Sequence, residues 1–170
     1  MRDALSRRPY SEEDREAVGA LHARAFEQLA AAFHSGAEIA AHTALTRSAG
    51  YGLDLLRSNL ALGIDDNGAI VTTAGWIAVA EEPGTARIRK VFVDPTLARR
   101  GIGSSMVRDA ERRAAAHGYT RIIVRANLNA VPLYANLGYA PVRDGRMPTP
   151  SGIELPVVFM EKRRAVSQSD

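Results

Sequence analysis

The stretch Val91-Phe92-Val93-Asp94-Pro95-Thr96-Leu97-Ala98-Arg99-Arg100-Gly101-Ile102-Gly103-Ser104-Ser105-Met106 carries an apolar run into a basic, glycine-bearing turn that opens a helix. Such a turn suits an anion. Glycine lets the backbone come close to a ligand, and the unpaired N–H groups of a helix's first turn, at its positive dipole end, favour phosphate or pyrophosphate. Two common phosphate-binding designs fit poorly. A Walker loop needs a Lys before its Ser or Thr, and here Ser104 and Ser105 follow Gly103 directly. A dinucleotide fingerprint needs a third glycine, and Met106 stands in its place with no acidic residue at ribose distance. On its own the pair Gly101 and Gly103 also fits an ordinary strand-to-helix turn.

Working outward, Arg121-Ile122-Ile123-Val124-Arg125 reads as a buried strand, and Ala126-Asn127-Leu128-Asn129-Ala130-Val131-Pro132-Leu133-Tyr134-Ala135-Asn136-Leu137-Gly138-Tyr139 follows it. The run from Val91 to Tyr139 resembles the GNAT superfamily of N-acetyltransferases. Val93 and Pro95, Gly101 and Gly103, Asn127, Ala130, Tyr134, Gly138 and Tyr139 match that family's pattern. Two positions depart from it. Ala98 stands where the family usually has Gln or Arg, and Asn136 where many members have a Lys directed at a 3′-phosphate, so that contact has no assigned residue.

The resemblance implies acetyl-CoA as cosubstrate, with no metal, and direct transfer to a primary amine through a ternary complex. It implies that Val91, Phe92 and Val93 offer backbone groups to the pantetheine arm. Arg99, Arg100, Gly101, Ile102, Gly103 and Ser104 then cradle the pyrophosphate, and Asn127 bonds the arm. The main-chain N–H of Val93 is expected to face the thioester carbonyl, and the Tyr134 hydroxyl to protonate the departing thiolate. Each residue has a plainer reading. Tyr134 fits an apolar helix face as a core aromatic, and Asn127 could cap the helix that follows, which is expected to start after a cap at Asn129 with Pro132 in its first turn. No motif singles out a general base. Glu81, Glu82, His34 and Glu38 are weak candidates beside a water chain. Two other classes compete with the enzyme: a CoA-binding regulatory or sensor module without catalysis, and a nucleotide-binding protein using the same turn.

With 170 residues the chain suits one domain, expected over 1–164 with a frayed tail at 165–170. It contains no cysteine, which excludes disulfides, thiolate metal sites and a cysteine acyl-enzyme. The amino terminus lacks the apolar core of a signal peptide and no segment approaches a membrane span, so a soluble, cytoplasmic protein without membrane partners is expected. Net charge is only +3 and the arginines are scattered, which argues against a nucleic-acid partner. A small-molecule or peptide amine is the expected acceptor, and the resemblance allows a homodimer.

Ser11 followed by Glu12, Glu13 and Asp14 reads as a helix start, with Val18, Leu21, Ala25 and Leu29 on one face. Ala37 to Ala49 suggests a second helix ended by Gly50, and Tyr51 to Leu56 a loop or short helical turn. Asn59–Ile64 and Ala69–Val79 read as strands joined at Asn67-Gly68, Thr85–Val93 as a third, and Ala140–Met147 with Ile153–Lys162 as a final hairpin. Gly103 to His117 carries Met106, Ala110 and Ala114 at helical spacing and stops at Gly118. The expected fold is an α/β domain: a GNAT-like mixed, mostly antiparallel sheet with a central βαβ crossover flanked by helices.

Overall fold

The computed structural model describes residues 5–164; residues 1–4 and the expected tail at 165–170 lie outside them. Seven strands form one sheet: β1 (Ser6–Pro9), β2 (Ala61–Ile64), β3 (Ile70–Ala78), β4 (Thr85–Val93), β5 (Arg121–Asn127), β6 (Ala140–Met147) and β7 (Leu155–Arg163). Their order is β1-β2-β3-β4-β5-β7-β6, and every pair is antiparallel except β4 with β5. The α/β class, the mixed sheet and the single crossover are as expected.

The crossover helix α4 (Ile102–Ala116) lays Met106, Val107, Ala110 and Ala114 against Trp76, Ile88, Ile122 and Val124. Each larger apolar side chain buried there contributes about 1.5–3 kcal/mol. Gly101 precedes the helix at φ +78° and Gly118 follows it at φ +89°, left-handed conformations that a side chain disfavours. Buried Glu111 on the same helix accepts from the Tyr139 hydroxyl at 2.9 Å and from Lys162 Nζ at 3.2 Å, which ties α4 to the final hairpin.

The opposite face of β2 to β4 is covered by α1 (Arg15–Leu29), α2 (Gly36–Arg47) and α3 (Ala49–Leu56). Ser11 and Asp14 form the expected capping box, although a short 3-10 turn, Glu12–Asp14, precedes α1. The reading of Gly50 as a helix end was wrong. Ser48 makes the break: its backbone is extended, and its hydroxyl donates to the Leu45 carbonyl at 2.7 Å, so the side chain takes a partner that continued helix would use. Gly50 and Gly52 then lie inside α3. Strand β1 was not foreseen. Its four residues are all exposed, so no alternation of burial marks Ser6–Pro9.

One local irregularity positions the functional region. Thr73 of β3 faces Phe92 and Gly75 faces Arg89, so Lys90 and Val91 together oppose the single residue Ala74. This is a β-bulge, and Lys90 sits in it at φ +57°. Before the bulge, Thr85 to Ile88 pair with Arg121 to Val124; beyond it β4 keeps only β3, while Arg125 to Asn127 keep only β7. The two central strands therefore part.

Candidate active site

The gap between β4 and β5 opens into a cleft of about 580 Å³. All of the expected cofactor residues border it except Arg100: Val91, Phe92, Val93, Arg99, Gly101, Ile102, Gly103, Ser104 and Asn127. Arg99 at φ +63° and Gly101 at φ +78° bend the chain into α4, whose first helical bond runs from Ser105 N–H to Gly101 O at 3.1 Å. The N–H groups of Ile102, Gly103 and Ser104 precede that bond and are left to a ligand or solvent. Asp94 N–H donates to Val71 O at 2.7 Å, so by the alternation of an antiparallel ladder Val93 turns its N–H and C=O away from β3 and into the gap.

The cleft has walls that the sequence did not reveal. Phe26, Leu29 and Phe33 line it from α1 and the turn beyond. The helix after β5 also begins differently from expectation. A 3-10 turn, Leu128–Ala130, leads into α5 (Val131–Asn136), Ala130 holds the cap position, and neither Asn127 nor Asn129 caps through its side chain. Asn129 Oδ1 is buried without a hydrogen-bond partner, and both amides border the cleft.

Where β4 and β5 part lies a smaller cavity of about 110 Å³; Val91, Phe92, Asn127 and Ala130 border both spaces. Tyr134 lines this cavity, buried among core residues, and its hydroxyl makes no hydrogen bond among the described residues. Burial pushes that phenol well above its ordinary pKa. Tyr139 packs edge-on against it at 5.4 Å but gives its hydroxyl to Glu111. Of two neighbouring buried tyrosines, one is tied to the core and the other has its hydroxyl uncommitted.

The rest of the cavity is cationic. Arg87, Arg89, Lys90 and Arg125 line it, and none of its lining residues is acidic. Asp54 of α3 stands beside it, 2.6 Å from Arg89 Nη2 and 2.8 Å from Lys90 Nζ. Burial, and then Arg89, bring the Lys90 ammonium down to about 8 despite Asp54. Burial alone would raise the more open Asp54, yet Lys90 and Arg89 outweigh it and hold that carboxyl low. Lys90 Nζ also lies 4.1 Å over the Tyr51 ring.

A buried chain of hydrogen bonds stands behind the bulge. Thr73 Oγ1 donates to Lys90 O at 2.6 Å, His22 Nε2 meets Thr73 Oγ1 at 2.8 Å, and His22 Nδ1 meets the Tyr51 hydroxyl at 2.7 Å. Because Thr73 spends its proton on Lys90 O, it accepts from His22, so His22 carries its proton on Nε2 and accepts from Tyr51. The ring stays neutral, since burial and nearby Lys90 lower its pKa. The peptide between Lys90 and Val91 is trans, so anchoring Lys90 O toward Thr73 points the Val91 N–H the other way.

The weak general-base candidates do not reach this place. Glu81 and Glu82 lie in the turn before β4, at the far end of the strand from Val91, and Glu82 pairs with Arg121. His34 packs on Phe26 with both ring nitrogens buried and unbonded, Glu38 caps its own helix through Ser35, and neither borders the two spaces. His42 does line the cavity, but burial and Lys90 lower it to about 3, leaving a neutral and weakly basic ring. The alternating basic residues of Arg87-Ile88-Arg89-Lys90 were the available signal for the cavity.

Parted central strands over a helix N-terminus, in a mixed and mostly antiparallel sheet, are the fold of a GNAT-type acetyltransferase. The model of the Acetyltransferase (GNAT) family matches residues 24–139, and the chain belongs to that family and is an acyltransferase. Among solved structures, a GCN5-related N-acetyltransferase from Rhodopseudomonas palustris shares 22% identity at TM-score 0.81, covering 94% of this chain and 96% of that one. PaiA N-acetyltransferase from Thermoplasma acidophilum, solved in complex with coenzyme A, gives 15% identity and TM-score 0.71 over 94% and 99%. The ribosomal-protein-S18-alanine N-acetyltransferase from Escherichia coli gives 18% and 0.63 over 98% of both chains. No curated protein matches the chain. Among the described residues no helix is long and apolar enough to cross a membrane.

Proposed function

We propose that residues 1–164 form one N-acetyltransferase domain that moves an acetyl group from acetyl-CoA directly to a primary amine through a ternary complex. The observation that carries the reading is the cleft at the N–H groups of α4 together with the adjoining cavity, which an uncommitted tyrosine hydroxyl lines. The chain's residues fit acetyl-CoA: Ile102, Gly103 and Ser104 supply N–H groups for its pyrophosphate, Val93 supplies strand-like backbone bonds to its arm, and Asn127 and Asn129 supply side-chain amides. Acetyl-CoA, when bound, supplies an activated thioester.

Val91, not Val93, is the residue we assign to the thioester carbonyl. Val93 borders only the cleft, whereas Val91 borders both spaces and its N–H is aimed by the Thr73 to Lys90 bond. A fixed N–H there stabilises the oxyanion as the amine attacks. Tyr134 remains protonated at neutral pH and donates to the sulfur as the C–S bond breaks. Lys90, lowered to about 8, is the cavity's group able to take the proton that the attacking nitrogen loses. The acceptor is a small-molecule or peptide amine, and the expected setting is the cytoplasm.

Purified protein mixed with acetyl-CoA and an amine panel should release free thiol in amounts equal to the acetylated amine. Binding of acetyl-CoA without thiol release from any amine would instead support a regulatory CoA-binding module, and thermal stabilisation by ATP or NAD but not by acetyl-CoA would remove both readings.

A further inference from the structure

The cavity where β4 and β5 part holds more positive charge than the fold uses. Arg87 is half-buried and makes no hydrogen bond or ion pair among the described residues. Asp54 and Glu81 lie in its field without touching it, while Arg125 and Arg89 repel it. Among the described residues the Arg125 guanidinium has only the Phe159 ring, at 5.9 Å. Asp54 is shared by Arg89 and Lys90, and Arg89 Nε is buried with no hydrogen-bond partner among the described residues.

Half-buried Arg87, without a counter-ion in contact, is costly to hold, and the planar forks of Arg87 and the more open Arg125 match a carboxylate. The phosphates of the donor do not answer this need. On the reading above they sit at α4, beyond Val93, and Arg87 lies six residues back along the strand, roughly 20 Å away at strand spacing. A volume of about 110 Å³ holds only a few heavy atoms beyond the reacting group.

Resting on the acetyltransferase reading, we infer that the acceptor is a small amine bearing a carboxylate, which Arg87 and Arg125 bind while its amino group faces Val91 and Tyr134. Arg89 completes the site through Nε, and Lys90 stays with Asp54. Neutral amines and polyamines lack the anion and are poor acceptors.

The test compares matched acceptors on the full chain: glycine, alanine and glutamate against glycinamide, alaninamide and ethanolamine, each with saturating acetyl-CoA. Amino acids should exceed their amides in kcat/KM by about tenfold or more, the size of a hydrogen-bonded charge pair. Arg87→Gln and Arg125→Gln should bring that ratio toward one by raising the acceptor KM, with the acetyl-CoA KM unchanged; Arg87→Lys should restore part of it. Arg125 is exposed, so its replacement does not threaten the fold. A ratio near or below one in the parent enzyme overturns the inference, as does a ratio that both Gln variants leave intact. Acetylation of neutral amines alone overturns it while leaving the acetyltransferase reading in place. A protein that fails to bind acetyl-CoA loses both.

Discussion

The two ends of the cleft are built by different means. At the α4 end, the chain from Val93 to Ser104 offers backbone, N–H groups presented by two left-handed residues and a helix start, between apolar walls from α1 and α5 and beside the amides of Asn127 and Asn129. At the other end, α2, α3, β4, β5 and α5 each contribute side chains, and what they offer is charge and one hydroxyl. A ligand gripped by backbone can be recognised from a short contiguous pattern, because glycine placement is nearly all the chemistry requires. A ligand gripped by side chains from many separate elements leaves no such pattern.

The sharpest way to break this comparison is Tyr134→Phe. If catalysis belongs to the cavity and binding to the turn, kcat should fall on the order of 100-fold with little change in acetyl-CoA affinity, measured by thiol release and calorimetry. Tyr139→Phe is the control. Its hydroxyl serves Glu111, so the loss should appear as reduced thermal stability while turnover is largely kept. Equal turnover in parent and Tyr134→Phe would return Tyr134 to the core.

His22→Phe comes next. It keeps a ring against Phe92, 4.1 Å away, but strips partners from the buried Tyr51 and Thr73 hydroxyls, at a cost of about 3 kcal/mol in urea unfolding. Because Thr73 fixes Lys90 O and thereby aims Val91 N–H, kcat should fall as well in whatever fraction remains folded. A variant that loses stability and keeps full kcat would show that the chain of hydrogen bonds supports the core alone.

Gly101→Val probes the opposite end. A β-branched residue at φ +78° is strained by about 1–3 kcal/mol, and a Cβ at this position would meet no atom within 4 Å that could hold it, so the turn should rearrange. Acetyl-CoA affinity should weaken roughly 10- to 100-fold, the same energy read as binding. The Lys90 pH behaviour described below should be unaffected. Unchanged affinity would mean that the cradle does not depend on this backbone geometry.

These contrasts also explain what could be read in advance. The strands β2 to β4, the crossover and the final hairpin were legible because hydrophobic spacing and the Asn67-Gly68 turn are local signals. The residues that the resemblance points to, Arg100 apart, share one cleft because most of them lie in a short contiguous run. Strand β1 was not legible, since its residues are all exposed. The break at Ser48 depends on one hydroxyl competing for one carbonyl, a weaker sequence signal than the nearby Gly50. The cavity depended on distant pairings: Asp54 meets Lys90 and His22 meets Thr73 only once α1 and α3 pack on the sheet. The bulge at Lys90, on which the proposal of Val91 in place of Val93 rests, cannot be seen in a run of strand-forming residues.

The smallest expected effect concerns Lys90, the residue that joins the bulge to the cavity's charge. Its folded pKa, about 8, lies below the ordinary 10.5 of an exposed lysine, with burial as the main cause. If it takes the acceptor's proton, kcat should rise as pH climbs through about 8, and Lys90→Met should lower kcat by roughly tenfold or less and flatten that limb, the rest being carried by water. The acceptor amine also titrates, so a second reading is needed that contains no substrate. Between pH 8 and 10.5 the unfolded chain still holds the lysine proton that the folded chain has released. Unfolding therefore takes up a proton in this window, and this residue's contribution makes the protein more stable as pH rises. Below about pH 8 both states are protonated and the contribution is flat. Subtracting the Lys90→Met stability profile from that of the parent should leave this upward slope. A flat difference would mean that Asp54, 2.8 Å away, keeps Lys90 charged throughout, leaving water to take the proton.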